Sequence, residues 1–448
     1  MKKFFTYPVF VVLFLSFIGA IVFGFLVRQE LIGSQKFGNI SKHALFLAEI
    51  PVVLKRIYLQ YKDLGIDNKL EKSDAIKMII NDKSELISIP NKLFIYSRYD
   101  GDKKKSIIEI IDTTNFKSIH TYIVNMDELN IHADIENFIY QKTDNSTKRA
   151  RIFGIIDNDL NLYFHNNGSP LFSINKCSEF NWINNKLNFH HSINLDHDNN
   201  IWVASNKLKK NITTAYNNYA KKNLPYEEST LTKVSRSGKI LYEKSLIELL
   251  IENDILRTND LNSNVFDPIH LNDIQPILED GKYWKRGDII ISMRHLPYLI
   301  IFRPSNNKII KKIYVGNVQQ HDVDVFNNNS FTFFNNNNAI TKQGLVNKNS
   351  KILLYDLEIN KFSDFYLFEN SLNLFAEGLH EIIDNKYLFY EFEGYSVFED
   401  LDDKKIKIYT NKNSQGEIYR THWSSVLKDE NKINLIKKNI NEISCNSN

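Results

Sequence analysis

The chain has 448 residues, and its 56 Lys and Arg against 53 Asp and Glu leave a formal net charge of +3. This near-neutral balance argues against nucleic acid as a partner, and a hydrophobic content of 43% excludes a disordered chain. The two cysteines, Cys177 and Cys445, lie too far apart to staple a small disulfide-rich fold, have no obvious close pairing, and sequence leaves their state open.

The amino terminus predicts a membrane anchor. Two lysines precede an uncharged run over residues 4–27, which is long enough to cross about 30 Å of hydrocarbon as a helix. The lysines favour a cytoplasmic amino terminus, although Arg28 weakens this bias. The small residues Gly19 and Ala20 leave a cleaved signal peptide as the alternative, but the apolar run continues past them. We expect residues 1–28 to be a single-pass inner-membrane anchor, with the bulk of the chain in the periplasm or outside the cell.

Residues 29–84 are predicted to form a helical stalk. The segment LFLAEIPVVLKRIYLQYKDLGI has apolar residues at three- and four-residue spacings with Lys and Glu between them. A helix that binds a partner is the alternative interpretation of the same pattern.

The remainder, residues 85–448, changes to short runs rich in Ile, Phe, Tyr and Val between polar clusters, which is typical of antiparallel strands. One unit recurs: a strand, a polar turn ending in Lys, and a second strand. Its turn lysines are Lys117, Lys239, Lys308 and Lys361. Their spacing fits a period of about 60 residues if the first interval hides a diverged copy, and this indicates four-stranded propeller blades. The sequence therefore predicts an all-β propeller.

A second element recurs between those hairpins and begins with His. The segment from His191 to Asn206 aligns without a gap on the segment from His321 to Asn336, and His270 begins a third copy. The first strand of each blade lines the central channel of a propeller, so we expect these three histidines to converge there. Arg294, at the end of a following strand, is expected to join them.

A ring of His with Arg favours some chemistries over others. Three His with an open position suit zinc, but a guanidinium repels a divalent cation. Arg and His together suit a tetrahedral oxyanion such as sulfate or phosphate. The sequence has no P-loop, no Gly-rich nucleotide cradle and no Ser-containing elbow, so the transferred group is not expected to come from a nucleotide.

Three blocks of sequence resemble a known family: DPIHLNDIQPILEDGKYWKRGDIIISMRHLPYLIIFRPSNNKII, QQHDVDVF and AEGLHEIIDNKYLFYEFE. Over about residues 180–400 the chain is similar to the arylsulfate sulfotransferases, which are bacterial, extracytoplasmic, PAPS-independent enzymes. The resemblance implies a six-bladed β-propeller, preceded here by one transmembrane helix and the stalk. It also implies a sulfate ester donor, a hydroxyl acceptor such as a phenol or glycan, and no cofactor, metal or nucleic acid.

The family's functional residues carry over to the matching positions. The nucleophilic His falls on His321, the H-x-N pair on His270 and Asn272, the arginine on Arg294, and the first channel His on His191. The implied reaction is ping-pong through a sulfo-histidine at His321. Arg294, His270 and Asn272 would bind the sulfuryl oxygens, and His191 would exchange a proton with the phenol and the acceptor.

Other polar side chains receive supporting or structural roles. His295 should point to the opposite strand face, as packing or as support for the site, and Asp322 or Asp324 is expected to orient His321 through its other ring nitrogen. His380 is either a channel residue or a structural partner of Glu377 and Glu381. His422 is predicted to lie in a closing strand.

Two other classes of function stay open at this point. One is a non-catalytic propeller that binds an anionic glycan or scaffolds an envelope complex. The other is a metal-dependent hydrolase.

Overall fold

The computed structural model describes residues 6–31, 35–62, 69–70, 87–134, 150–209, 226–256, 267–316, 319–341, 344–347, 349–368, 374, 377–392 and 395–445. The chain divides into two compact units. One comprises residues 1–65, 208–227 and 257–266, and the other comprises residues 66–207, 228–256 and 267–448.

The first unit contains the apolar helix α1, Thr6–Leu31. Its stretch Val9–Gln29 has a mean hydropathy of 2.9, and its side chains are exposed rather than buried. The helix is long and apolar enough to cross a membrane or to be a signal sequence. One apolar amino-terminal helix is therefore confirmed, whereas its orientation and its cleavage stay predictions.

Helix α2, Gly38–Lys62, follows a 3-10 turn at Gln35–Phe37. Most of the predicted stalk beyond it, residues 63–68 and 71–84, lies outside the described residues. At Lys69–Leu70 the prediction of helix is wrong, because these residues form strand β1 and pair with strand β26, Ile418–Tyr419. The domain boundaries after residues 28 and 84 stay predictions.

Antiparallel sheets dominate the second unit, and four of them have four strands each. The first joins β27 (Ser425–Leu427), β2 (Leu93–Asp100), β3 (Lys105–Asp112) and β4 (Lys117–Val124). The second joins β12 (Leu271–Pro276), β13 (Ile289–Met293), β14 (Tyr298–Arg303) and β15 (Lys308–Tyr314). The third joins β16 (Val323–Asn327), β17 (Ser330–Asn335), β20 (Lys351–Asp356) and β21 (Lys361–Leu367). The fourth joins β22 (Leu379–Ile383), β23 (Tyr387–Phe392), β24 (Tyr395–Asp400) and β25 (Ile406–Thr410).

A fifth sheet has seven strands. In chain order they are β5 (Ile152–Ile156), β6 (Leu162–Asn166), β7 (Ser169–Ile174), β8 (Phe180–Leu195), β9 (Ile201–Lys209), β10 (Tyr226–Val234) and β11 (Ile240–Ser245). The long strand β8 bends near its end, where His191 has a φ of +55°. The register with β9 shifts at the same place, between His190 and Ile193.

Smaller elements complete this unit. They are the hairpin β18–β19 (Asn338–Thr341 and Gly344–Asn347), the short helices α3 (Met126–Leu129) and α4 (Leu246–Glu252), a 3-10 turn at Asn130–His132, and helix α5 (Glu430–Asn441).

The lysine-containing repeat corresponds to the outer hairpin of a sheet. Lys117, Lys308 and Lys361 begin β4, β15 and β21, and Lys239 directly precedes β11. Burial decreases toward these outer strands: β13 is buried along its whole length, whereas β21 is largely exposed. Apolar runs therefore mark the inner strands and mixed polar runs mark the outer ones.

Side chains of the inner strands link each sheet to the next by accepting backbone N–H groups. The links are Ser192 Oγ from Ile274 N (2.9 Å), Asp273 Oδ2 from Val323 N (2.9 Å), Asp322 Oδ2 from His380 N (2.8 Å), Glu381 Oε1 from Val426 N (2.7 Å) and His422 Nδ1 from Ile152 N (2.9 Å). This succession of sheets gives an all-β, propeller-like arrangement. The predicted count of six blades is not confirmed, because only four separate four-stranded sheets are present in the described residues.

The two ends of the β-structure meet in one sheet. Strand β27, near the carboxyl terminus, pairs with β2, the first long strand, through Leu93 with Leu427 and Ile95 with Ser425. Ser97 N also donates to Ser424 Oγ (3.2 Å). Pairing of this kind closes a ring of sheets and removes two exposed strand edges.

A disulfide reinforces this closure. Cys177, in the turn between β7 and β8, is bonded to Cys445, with 5.6 Å between their Cα atoms. The sequence inference that these cysteines have no close pairing is therefore wrong, because helix α5 carries Cys445 back to the fifth sheet. The helix packs Ile433 and Ile436 into a core cluster shared with β2–β7.

Replacing both cysteines by serine should lower the free energy of unfolding by about 2–5 kcal/mol, because the bond closes a long loop of the unfolded chain. Urea unfolding of the full chain in detergent measures the change. A reductant should lower the wild-type midpoint and leave the double variant unaffected. Equal urea midpoints for the oxidised wild type and the double variant would contradict this expectation.

Candidate active site

A cavity of about 260 Å³ lies in the second unit, at the ends of the inner strands. It brings together His191, His270, Arg294 and His321, which are far apart in the chain. Its lining also includes Arg151, Phe153, Asn167, Glu377, Gly378, Leu379, Glu391, Phe392, Arg420, Thr421, His422 and Trp423. Three arginines and four histidines around one small space make it a site for an anionic group.

The inner strands position the predicted histidines. His270 and His321 come just before β12 and β16, and His191 lies at the bend of β8. His191 and His270 adopt φ values of +55° and +54°, a left-handed conformation that is uncommon for residues other than glycine. Such residues cost of order 1–3 kcal/mol each and concentrate at functional sites.

Asn336 determines which nitrogen of His321 carries the proton. The Nδ2 group of Asn336 donates to the carbonyl oxygens of Glu377 (2.7 Å) and Leu374 (3.1 Å), so its Oδ1 atom faces His321. His321 Nδ1 lies 2.6 Å from that oxygen and must therefore be the donor. The other nitrogen, Nε2, accepts a long hydrogen bond from Glu377 N at 3.3 Å. The proton of His321 is thus on Nδ1 and its lone pair is on Nε2, where a ligand can reach it only when the long hydrogen bond from Glu377 N is released.

Burial keeps His321 neutral. The pKa of His321 is lowered to about 3, mainly by desolvation; the Asn336 hydrogen bond opposes this shift, and the charge of Arg294 adds to it. A neutral imidazole has a nucleophilic lone pair, whereas an imidazolium has none.

His191 and His270 lie side by side. Their ring centroids are 4.9 Å apart, and His270 Nδ1 is 2.5 Å from Asp267 Oδ2. Burial, followed by the neighbouring histidines His270 and His190, lowers the pKa of His191 well below 6.5. His191 Nδ1 is 2.6 Å from Nδ1 of His190. Among the described residues, Nδ1 of His270 therefore faces the carboxylate of Asp267, whereas Nδ1 of His191 faces the ring of His190.

Two predicted residues do not act where the sequence analysis placed them. Asn272 does not line the cavity; it is 1% exposed, and its Nδ2 donates to the carbonyl of Gln320 (2.8 Å). Asp322 does not orient His321, because its carboxylate accepts from His380 N and lies 2.9 Å from His380 Nδ1. Both side chains serve contacts between sheets.

The remaining predictions concern side chains around the cavity. His295 packs its ring against His270, with 4.9 Å between centroids, and its Nδ1 is 2.9 Å from the carbonyl of Asp267. The predicted pairing of His380 with Glu377 or Glu381 is wrong. Glu381 is paired with Lys428 (2.9 Å), and His380 Nε2 lies 2.8 Å from Thr332 Oγ1.

Sequence reasoning gave no role to several residues of the cavity. Arg151, Arg420 and Glu377 form one group, in which both arginines reach Glu377 Oε1, at 3.8 and 3.7 Å. Asn336 could have been found, because the aligned repeats both end in Asn. The arginines could not, because they meet only when β27 closes the ring.

Three groups of side chains among the described residues have the composition of a metal site, each with its potential ligand atoms within 4.8 Å of one another. They are Asp267, His270 and His295; Asp322, Asp324 and His380; and Asp196, His197 and Asp198, of which His197 and Asp198 are exposed. In the first group, His270 and Asp267 already share a short hydrogen bond. A metal there would replace that bond and remove the proton that His270 Nδ1 carries.

Comparison with known proteins gives a family. The profile of the arylsulfotransferases (ASST) matches residues 162–414, more than half of the 448-residue chain. No curated protein sequence matches the chain.

Three similar solved structures are a dihydro-heme d1 dehydrogenase, the protein U3-55K and virginiamycin B lyase from Staphylococcus aureus. The dehydrogenase is 11% identical, with 74% of this chain and 56% of that chain covered and a TM-score of 0.33. U3-55K is 8% identical, with 57% and 63% covered and a TM-score of 0.34. The lyase is 12% identical, with 73% and 88% covered and a TM-score of 0.38. The chain thus spans less than two thirds of the first two structures.

Substitution of Asn336 should change the protonation of His321 in two different ways. Asn336→Asp should raise the pKa of His321, since an anionic partner favours imidazolium. Asn336→Leu removes the closer acceptor of Nδ1–H and leaves the carbonyl oxygen of Gln319 at 3.1 Å, so the other tautomer should gain population. Nitrogen NMR of histidine-labelled protein measures both changes, with His321→Ala to assign the signals. Unchanged His321 signals in both variants would contradict the assigned hydrogen bond.

Proposed function

The chain belongs to the arylsulfotransferase (ASST) family, and from this premise we propose that it moves a sulfuryl group from an aryl sulfate, or a related sulfate ester, to a hydroxyl acceptor. The transfer proceeds through a sulfo-histidine on His321 and needs no PAPS. The orientation of His321, with its Nε2 lone pair at a cavity that also contains three arginines, is the observation that supports this proposal most.

The first half-reaction forms the covalent intermediate. The lone pair of His321 Nε2 forms a bond to sulfur while the bond from sulfur to the aryl oxygen breaks. The aryl oxygen leaves with the electron pair of that bond and takes a proton from the enzyme. In the second half-reaction the acceptor hydroxyl returns this proton to the enzyme, its oxygen bonds to sulfur, and the electron pair of the N–S bond returns to Nε2.

Arg294 and His270 stabilise charge on the sulfuryl oxygens. Arg294 follows β13, and its backbone N–H donates to the carbonyl of His270 (2.9 Å), so the two residues are held together beside His321. Burial lowers the pKa of Arg294 from its usual value, but a guanidinium stays charged at neutral pH. Fixed donors of this kind act on charge as it develops, much as they do in phosphoryl transfer.

Proton exchange belongs to His270 rather than to His191 in this mechanism. A proton donor needs a partner that stabilises the imidazolium, and Asp267 is such a partner. The neutral His191 packs beside His270 and helps to keep water from the ring. Asn272 has no direct role, because it lies outside the lining.

Aromatic side chains supply the surface for the aryl group. Phe153 and Trp423 line the cavity with their ring centroids 5.9 Å apart and their planes 30° apart, and Phe392 also lines it. Rings of this kind bind the flat face of a phenol by stacking. This wall favours an aryl substrate over a glycan.

The seven-stranded sheet counts as two blades in this proposal, which gives six. Strand β8 changes register at His191 and serves as the outer strand of one blade and the inner strand of the next. Each half of the seven-stranded sheet also has its own hydrogen bond to a neighbouring sheet. Ile152 N in β5 donates to His422 Nδ1, and Ser192 Oγ in β8 accepts from Ile274 N.

The proposed enzyme is anchored outside the cytoplasm. Helix α1 crosses the inner membrane once, with Lys2 and Lys3 on the cytoplasmic side, and the domain of residues 85–448 is in the periplasm behind a stalk of residues 29–84. The disulfide between Cys177 and Cys445 supports an oxidising compartment.

Substitution of the nucleophile tests the reaction. His321→Ala should reduce transfer from p-nitrophenyl sulfate to a phenol by at least about 10³-fold, because no other group replaces a covalent nucleophile. Mass spectrometry of rapidly quenched wild type should find a sulfo-histidine at position 321. His197→Ala, in a turn away from the cavity, is the matched control. Wild-type transfer by His321→Ala would refute the mechanism, and binding of anionic glycan without any transfer would favour a non-catalytic propeller.

The acid side of the pH profile tests the state of His321. With its pKa lowered to about 3, His321 stays neutral between pH 7 and pH 5, so formation of the sulfo-enzyme should change by less than about twofold. An imidazole with the ordinary pKa of about 6.5 would lose about 25-fold in rate over that interval. Single-turnover release of p-nitrophenol measures the rate of sulfo-enzyme formation, because this leaving group needs little protonation. Circular dichroism verifies folding at each pH. A loss near the larger value would contradict a neutral buried His321.

A further inference from the structure

We infer that the cavity contains a second anion subsite, formed by Arg151, Arg420 and His422, and that the preferred acceptors are therefore phenols that carry a carboxylate. The statement about acceptors rests on the proposed transfer reaction. The existence of the subsite does not, because it can be tested by binding alone.

The three residues come from two segments that are joined directly. Ile152 N donates to His422 Nδ1 (2.9 Å), and Phe153 forms a parallel bridge with Trp423. This places Arg151 next to the segment that holds Arg420 and His422. None of the three lies on the strands that carry His270, Arg294 and His321, so the cavity has a second group of donors in addition to the predicted one.

A carboxylate already lies between the two arginines. Glu377 Oε1 is 3.8 Å from Arg151 and 3.7 Å from Arg420, both longer than the 2.7–2.9 Å of a direct charge-assisted hydrogen bond. The Glu377 side chain is 51% exposed. The two arginines are therefore arranged around a carboxylate, and their contacts with Glu377 are long enough for a substrate carboxylate to displace it.

The charge of the lining leaves room for a second anion. Arg151, Arg294 and Arg420 contribute three positive charges. Burial raises the pKa of Glu391 to about 8, so this carboxyl group is largely protonated at neutral pH, and Glu377 is the other carboxyl group of the described lining. A sulfate ester carries a single negative charge and leaves the site positive. A substrate with a carboxylate in addition to the sulfuryl group makes it neutral.

His422 provides an unused donor of the right kind. Because its Nδ1 accepts from Ile152 N, and burial lowers its pKa to about 3, the neutral ring carries its proton on Nε2. His422 is 6% exposed, and Nε2 has no hydrogen-bond partner among the described residues. A buried N–H group without an acceptor costs about 1–3 kcal/mol, which an oxygen of a bound anion would recover.

The test compares acceptors that differ in one charge. With p-nitrophenyl sulfate as donor, 4-hydroxybenzoate should be preferred by the full-length enzyme over 4-hydroxybenzyl alcohol. Arg420→Gln should reduce the ratio of their kcat/KM values at least tenfold, Arg420→Lys should restore part of it, and Glu377→Gln should change it in the opposite direction. Arg286→Gln, an exposed residue outside the cavity, should leave the ratio unchanged. An equal ratio in wild type and Arg420→Gln would overturn the subsite.

A binding measurement separates this inference from the transfer reaction. Full-length His321→Ala in detergent should bind 4-hydroxybenzoate at least tenfold more tightly than 4-hydroxybenzyl alcohol by calorimetry, and the double variant with Arg420→Gln should lose this difference. This binding preference, found together with a wild-type enzyme that transfers no sulfate from p-nitrophenyl sulfate, would refute the proposed function and keep the subsite. Equal affinities for the two phenols would refute the subsite, whether or not transfer occurs.

Discussion

Hydrogen bonds between neighbouring sheets fix the positions of the sheets in this structure. In each bond, a side chain of one sheet accepts a backbone N–H group of the next. Ser192, Asp273 and Asp322 each supply such an acceptor from an inner strand. Each comes directly, or within three residues, after a histidine of the cavity. Successive residues of a strand point in opposite directions, so one short segment both fixes the position of a sheet and presents an imidazole. The geometry of the site is therefore inseparable from the packing of the sheets, and a change in either would disturb the other.

Burial makes the histidines and the arginines of the cavity differ in charge. It lowers the pKa values of His321 and His422 to about 3, so these rings are neutral and act through a lone pair or a single N–H. The arginines keep their charge at any physiological pH. Permanent positive charge beside a neutral nucleophile favours esters of strong oxyacids and disfavours cationic metals as partners. A protonated His321 would have no lone pair on Nε2.

The sequence predicted what depends on local pattern and on repetition. Alternating apolar runs and turn residues located the hairpins, and the aligned His-containing repeats located His191, His270 and His321 in one cavity. Prediction from the sequence failed where a contact forms only after the ring of sheets closes. The role of Asn336 requires the carbonyls of Leu374 and Glu377, and the pairing of Cys445 with Cys177 requires helix α5 to return to the fifth sheet. Asp322 was assigned to its sequence neighbour His321, but strand alternation turns it toward His380.

The pairing of β27 with β2 has a consequence for the timing of biosynthesis. Arg420, His422 and Trp423 lie just before β27 and complete the cavity wall. Proteins are made from the amino terminus, so the pocket stays open on that side until the segment with Arg420, His422 and Trp423 has been synthesised. A product that stops before this segment contains His321 but has an incomplete cavity wall. Enclosure of the pocket therefore follows the synthesis of the early strand β2 by more than 300 residues.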